Sequence, residues 1–395
     1  MLTKTMRIIT VLAATLSIVL SLGVLFFVAG VFLDPTGGRI AVIGASVWTT
    51  FGPHLFLASV ASFLVALFPG VLSRRPVGMV VPFVSVAACV GSGFIVFKIM
   101  SATISAGGSV NLPLALVLAD MESARPDAVE TVRVVAGTEL QAAIYQPVGA
   151  ANASPVLVYI HGGGFMTGHR TETAADLRWF ADKGWLVVSV DYRLFAPDLA
   201  TWDKALRDAA CGLIWAQRNA ARFGGDPERI ALLGDSAGGN LAINIGFAAA
   251  DRLTIPECGG EMPVPMAIAT QYPAVDPVSI YESGFPIPGF EPMMLIEGYI
   301  GGTPADYPGR IAEISSRTYL TPNAPPTLVI LPERDSLVVA EGTLAFAAEA
   351  RDAGVDLELV RMPFASHIYN QIAANSLGNQ SGRTIRLRFL EQHLR

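Results

Sequence analysis

The sequence predicts an α/β domain on a mostly parallel sheet, preceded by an all-α region able to cross a membrane. Three observations carry this. Hydrophobic residues make up 52% of the 395 positions and charged residues only 15%, an apolar excess over ordinary soluble domains. The excess is concentrated at the front, where from Ile8 to Met100 the only charged side chains are Asp34, Arg39, Arg74, Arg75 and Lys98. Beyond Asp120, runs of Val, Ile and Leu alternate with helix-like segments, as in strands covered on both faces by helices.

Within residues 1–103, three apolar stretches at about 8–33, 41–68 and 77–100 are each long enough to cross a bilayer. The first follows Lys4 and Arg7 as a signal peptide would, but its apolar run is too long and two more spans follow, so it is expected to be retained. Core helices rarely run so far without charge, which favours spans over a globular core. The second stretch holds Gly52, Pro53 and His54, which kink it or move its start toward Leu55. Lys4 and Arg7 precede the first span, and Arg74 and Arg75 lie between the second and third. The positive-inside rule then puts the N-terminus in the cytoplasm and everything after the third span outside, with Lys98 in weak opposition. Residues 104–124 form an apolar linker or interfacial segment, broken at Gly107, Gly108 and Pro113. It could equally cover the mouth of a pocket in the following domain.

From 125 to 395 the elements follow in order. Residues 129–136 and 139–146 read as a hairpin across Gly137. PVLVYI at 155–160 is a strand buried on both faces, followed by a helix over 171–183 and a strand over 185–192. Residues 201–222 carry helical periodicity through Ala205, Ala209, Leu213 and Ala216. RIALLG at 229–234 is a strand, and Ala237 to Ala250 a small-residue helix. Strands at 266–272, 327–333 and 356–362 complete the sheet, and a last helix starts near Ser381. In such sheets functional residues collect at the C-terminal strand ends.

Two motifs fall there. GDSAGG at 234–239 lies between strand and helix, with Gly234, Ser236 and Gly238 spaced G-x-S-x-G. That spacing suits a nucleophile on a strained turn, because only small neighbours let the backbone fold so sharply. Alone it also fits an ordinary turn. HGGGF at 161–165 directly follows a strand, and its glycines would let backbone N–H groups approach a developing oxyanion. A phosphate-binding loop is excluded by the missing Lys-Ser/Thr ending.

HGGGF, DYRL at 191–194 and GDSAGGN at 234–240 together resemble the hormone-sensitive-lipase-like branch of the α/β-hydrolases, a family of carboxylesterases and lipases. The resemblance covers about 125–395 and implies that Gly163, Gly164 and Ala237 supply the oxyanion N–H groups. Which two of Gly162, Gly163 and Gly164 point inward is left open by sequence. The order Ser, acid, His then selects Asp335, in ERDSL, over its neighbour Glu333, and His367, in ASHIY. His54, His161, His169 and His393 lie elsewhere, and His161 would hold the loop. Ser236, Asp335 and His367 form the expected triad, with no metal or organic cofactor required. The chain departs from the family pattern at DYRLFAPD, where Phe195 is interposed, and in having membrane helices where relatives carry a soluble cap. An apolar insertion at 276–310, with Phe285, Phe290 and Met293 to Leu295, is a candidate lid or ordinary packing.

The expected activity is ester hydrolysis through an acyl-enzyme on Ser236, with small-molecule or lipid esters and the membrane as partners. The alternatives are an acyltransferase using the same acyl-enzyme and a non-catalytic binding module. A net charge of −6 without a basic run leaves no footprint for nucleic acid. Cys89 reads as a small hydrophobe. Whether Cys211 and Cys258 pair is not decided by sequence, and the rarity of bridges in chains of this size speaks against it.

Overall fold

The computed structural model describes residues 4–72, 76–149, 153–253, 257–286 and 289–394; Arg74 and Arg75 lie outside them. Three helices, α1 (Lys4–Val31), α3 (Trp48–Leu72) and α4 (Pro76–Ser105), are long and apolar enough to cross a membrane. A short helix, α2 (Arg39–Ser46), stands between the first two. The second apolar stretch therefore breaks at Val47 and not near Leu55. Pro53 falls in the second turn of α3, where it removes only the bond to the Thr49 carbonyl. Inside the bundle the hydroxyls of Ser17 and Ser85 lie 2.9 Å apart and those of Ser21 and Ser62 2.8 Å apart, all four residues buried.

The segment before the sheet holds only a four-residue helix, α5 (Leu112–Ala115), capped by Asn111, whose Oδ1 accepts from the Leu114 N–H. It is tied down, since the Asn111 N–H donates to Gln380 Oε1 at 2.6 Å.

Strands β1 (Ala128–Val135) and β2 (Thr138–Tyr145) form the expected hairpin. Its turn residues, Ala136 and Gly137, both have positive φ, as a two-residue turn matched to strand twist requires. There follow β3 (Ser154–Ile160), α6 (Ala174–Asp182), β4 (Leu186–Val190), α7 (Ala205–Asn219), β5 (Gly225–Asp235), α8 (Ala237–Ala250) and β6 (Ala267–Gln271). The 276–310 stretch contributes α9 (Pro277–Ser283) and α10 (Pro292–Ile300) and is followed by α11 (Pro308–Ile314). The chain ends with β7 (Thr327–Pro332), α12 (Ala340–Asp352), β8 (Leu357–Met362) and α13 (Leu377–Leu394). The last helix thus opens four residues before Ser381.

The eight strands run in the order β1-β2-β4-β3-β5-β6-β7-β8, antiparallel at β1–β2–β4 and parallel from β4 to β8. Alternation along β3 explains its continuous apolar run. Val156, Val158 and Ile160 face the core shared with α7, α8 and α12, while Leu157 and Tyr159 face α6 and α13. The second core does not stop at the sheet domain. Trp48, Ile95 and Ile99 of the apolar bundle belong to one cluster with Tyr272, Phe364 and Ile385.

Cys211 on α7 is bonded to Cys258, with Cα atoms 5.8 Å apart, against the expectation from chain size. The α7 packing places the two within the span a disulfide needs.

Candidate active site

Ser236 sits where β5 hands over to α8, with φ 53° and ψ −119°. Only small residues permit that corner. A Cβ on Gly234 would lie 2.4 Å from the Gly238 carbonyl oxygen, and one on Gly238 would lie 2.1 Å from that of Ile160. Asp335 and His367 arrive from the loops after β7 and β8, so all three residues meet at the C-terminal edge of the sheet.

The three side chains form a continuous chain of hydrogen bonds. Ser236 Oγ is 3.0 Å from His367 Nε2, and His367 Nδ1 is 2.7 Å from Asp335 Oδ2. The other carboxylate oxygen, Asp335 Oδ1, accepts from the N–H groups of Leu337 and Val338 at 2.9 Å each. With Nδ1 donating to a buried carboxylate, the Nε2 lone pair faces the serine hydroxyl. The competing acid is turned away, because Glu333 pairs with Arg361 at 2.8 Å.

The HGGGF loop follows β3 and lines the same cavity through Gly162, Gly163 and Gly164. Gly163 has φ +104° and Gly164 φ +61°, and a Cβ on Gly163 would lie 2.1 Å from the Thr167 carbonyl oxygen. Gly162 lacks this constraint. Ala237 opens α8, where its N–H has no intrahelical acceptor. His161 donates from Nδ1 to the Gly162 carbonyl at 2.8 Å and stacks on Tyr192. Burial holds its pKa down at about 4, so it is a neutral brace for the loop. His54 contacts the Leu116 carbonyl, His169 contacts Thr171 and His393 lies against Phe389; none reaches Ser236. Phe195, the interposed residue, donates its N–H to the Phe165 carbonyl and covers Gly298.

Behind the elbow lies a buried charge pair that the sequence reading missed. Asp235 accepts from Arg386 Nη1 at 2.9 Å, Gln371 Nε2 at 2.8 Å and Tyr159 Oη at 3.1 Å. A carboxylate ending the apolar run RIALLGD was the available signal, since a buried charge needs a partner. Nothing in RTIRLRFL distinguished Arg386 from Arg383 or Arg388. Nearby, burial pushes the Asp176 carboxyl up to about 6 against the pull of Arg386 and Arg383.

Two lobes open on Ser236. A narrow one of about 30 Å³ is walled by Phe165, Ala237, Ile280, Leu295, Ile314 and Val338. A larger one of about 380 Å³ contains His367 and is walled by Phe290, Leu337, Ile368 and Ile372, and by Val42 and Ser46 of α2. The insertion therefore supplies walls to both lobes through Leu295 and Phe290, while Met293 points to solvent.

A Ser–His–Asp relay at a strained strand-to-helix corner of a mostly parallel sheet defines the α/β-hydrolase class. Within that class the chain belongs to the BD-FAE family, whose model matches residues 142–349. That match includes Ser236 and Asp335 and stops short of His367. The chain is similar to esterase LipQ of Mycobacterium tuberculosis, 28% identical over 225 residues that cover 56% of this chain and 51% of the relative. Carboxylesterase NlhH of the same organism is 41% identical over 106 residues, covering 27% of this chain and 33% of the relative. The chain spans about half, or less, of the length of these curated relatives. Native Thermogutta terrifontis esterase 2 superposes with a TM-score of 0.55 at 22% identity, over 69% of this chain and 96% of that one. It shares the fold.

Proposed function

We propose that the protein is a membrane-anchored serine carboxylesterase that works through an acyl-enzyme on Ser236. The observation that carries this is the 3.0 Å and 2.7 Å relay from Ser236 through His367 to Asp335. In this reading Ser236 Oγ attacks the ester carbonyl as His367 Nε2 takes its proton, and Asp335 stabilises the imidazolium. The N–H groups of Gly163, Gly164 and Ala237 receive the oxyanion. Collapse of the intermediate breaks the C–O bond, and His367 returns the proton to the leaving alcohol. Water then repeats the sequence on the acyl-enzyme, releasing the acid and restoring Ser236. Relatives named as esterases support the chemistry.

The three long apolar helices support anchoring, with the N-terminus in the cytoplasm and the hydrolase domain outside. Lys4 and Arg7 support that orientation, and so does the Cys211–Cys258 bond, which belongs to an oxidising compartment.

The test is turnover of 4-nitrophenyl esters of increasing chain length by the wild type and by Ser236→Ala, with labelling by a fluorophosphonate probe. The variant is expected to lose about 10⁴-fold or more in kcat and all labelling. Undiminished turnover in Ser236→Ala removes this residue from the mechanism.

A further inference from the structure

We propose that α2 is a wall of the substrate site, and that the substrate is a short-chain acyl ester of a bulky, apolar alcohol held in the membrane. This rests on the esterase reading and specifies its substrate.

Two features of the cavity assign the two halves of the ester. The leaving alcohol must stand beside the imidazole that protonates it, and His367 lines the large lobe and not the narrow one. The alcohol moiety therefore occupies the large lobe, of about 380 Å³, and the acyl group points into the narrow one, of about 30 Å³. The narrow lobe has room for about two or three water molecules, which suits an acyl chain of a few carbons. The lining of the large lobe is mainly apolar, through Val42, Phe290, Leu337, Ile368 and Ile372.

The position of α2 says where that alcohol comes from. It joins the end of α1 at Val31 to the start of α3 at Trp48, and so lies level with one end of two helices fit to cross a bilayer. It is pinned there, because a Cβ on Gly44 would fall 2.5 Å from the Gly30 carbonyl carbon of α1. Val42 and Ser46 look into the cavity, while Ile40 and Ile43 on the same helix are about half exposed. Ile368 and Ile372, which line the same lobe, are 45% and 43% exposed. Apolar side chains thus run from the lobe to the outer face of α2, at the level of the bilayer surface.

The experiment uses the full chain in phosphatidylcholine vesicles. Hexadecyl acetate and methyl hexadecanoate, dissolved in the bilayer, carry their long chain on opposite sides of the ester; 4-nitrophenyl acetate reports the site from water. Hexadecyl acetate is expected to turn over at least about tenfold faster than methyl hexadecanoate, a discrimination within the reach of pocket shape. Val42→Trp should cut kcat/KM for hexadecyl acetate about tenfold more than for 4-nitrophenyl acetate. Val90→Trp, on the exposed side of α4, should move neither, and fluorophosphonate labelling reports that each variant is folded. Equal losses on both substrates in a labelled Val42→Trp protein would overturn the role of α2. Faster cleavage of methyl hexadecanoate, or cleavage of 4-nitrophenyl acetate alone, would overturn the substrate assignment and leave the esterase reading standing. If the wild type neither cleaves 4-nitrophenyl acetate nor takes the label, that reading falls and this inference with it.

Discussion

At Gly163 one methyl group decides whether the loop after β3 can exist. Its φ of +104° and the 2.1 Å approach to the Thr167 carbonyl leave no room for alanine. Gly163→Ala should therefore lose about 10²-fold or more in kcat, the usual cost of a displaced oxyanion donor. Gly162→Ala, whose Cβ would meet the Asp235 carbonyl at 3.0 Å, should lose less; equal rates for the two variants would contradict this. Acid sensitivity is set by two other buried groups that act in opposite directions. His161 titrates near 4 in the fold and near 6.5 in the unfolded chain. As pH falls through that window only the unfolded chain takes up the proton, and stability drops by about 3 kcal/mol in all. Asp176, at about 6 against an ordinary 3.8, binds its proton in the fold first, and so adds stability as pH falls from 6 to 3.8. Thermal melts at pH 7 and pH 5 should show a smaller drop for His161→Gln than for wild type, and a larger one for Asp176→Asn. Ser236, Asp335 and His367 were legible in the sequence because motif and chain order restrict the choice. Asp235 and Arg386 were not paired there, since 151 positions separate them and no local pattern links them.

Among the elements, strands were the easiest to read. A buried parallel strand needs apolar side chains on both faces, and β3, β4 and β7 have little else. Helix α13 opens at Leu377, ahead of the start expected near Ser381, and its first turns carry Asn379 and Gln380. In the fold they face inward, where Asn379 donates to Asp176 at 2.8 Å and Gln380 accepts from Asn111. Helices α9 and α10 were obscured by the Pro and Gly of the insertion, where each opens on a proline; proline is well suited to a first turn. The Cys211–Cys258 bond closes a loop of 47 residues, for which chain entropy gives about 4 kcal/mol. Reductant, or the double change Cys211→Ser and Cys258→Ser, should lower the melting temperature measurably. An unchanged melt under reduction would show that the bond is absent or idle.

For the whole molecule, the apolar bundle is more than a tether. Trp48, Ile95 and Ile99 share a core with Tyr272, Phe364 and Ile385, and Phe364, three residues before His367, packs edge-on to Phe32 and Phe94. A chain starting at residue 121 would expose that face to water, and is expected to aggregate on size-exclusion chromatography and to lack esterase turnover. A monomeric, active fragment would refute this. The serine hydroxyls inside the bundle extend the same logic. Sliding one helix by a single residue turns its side chains by roughly 100° and shifts them about 1.5 Å. Such a slip would break the hydroxyl contacts that Ser17, Ser21, Ser62 and Ser85 make between helices. The three long helices are thereby indexed against one another, and α2, slung between two of them, inherits that index. A tolerance set by hydroxyl groups deep within the bundle is passed on to the place where Val42 lines the cavity beside Ser236.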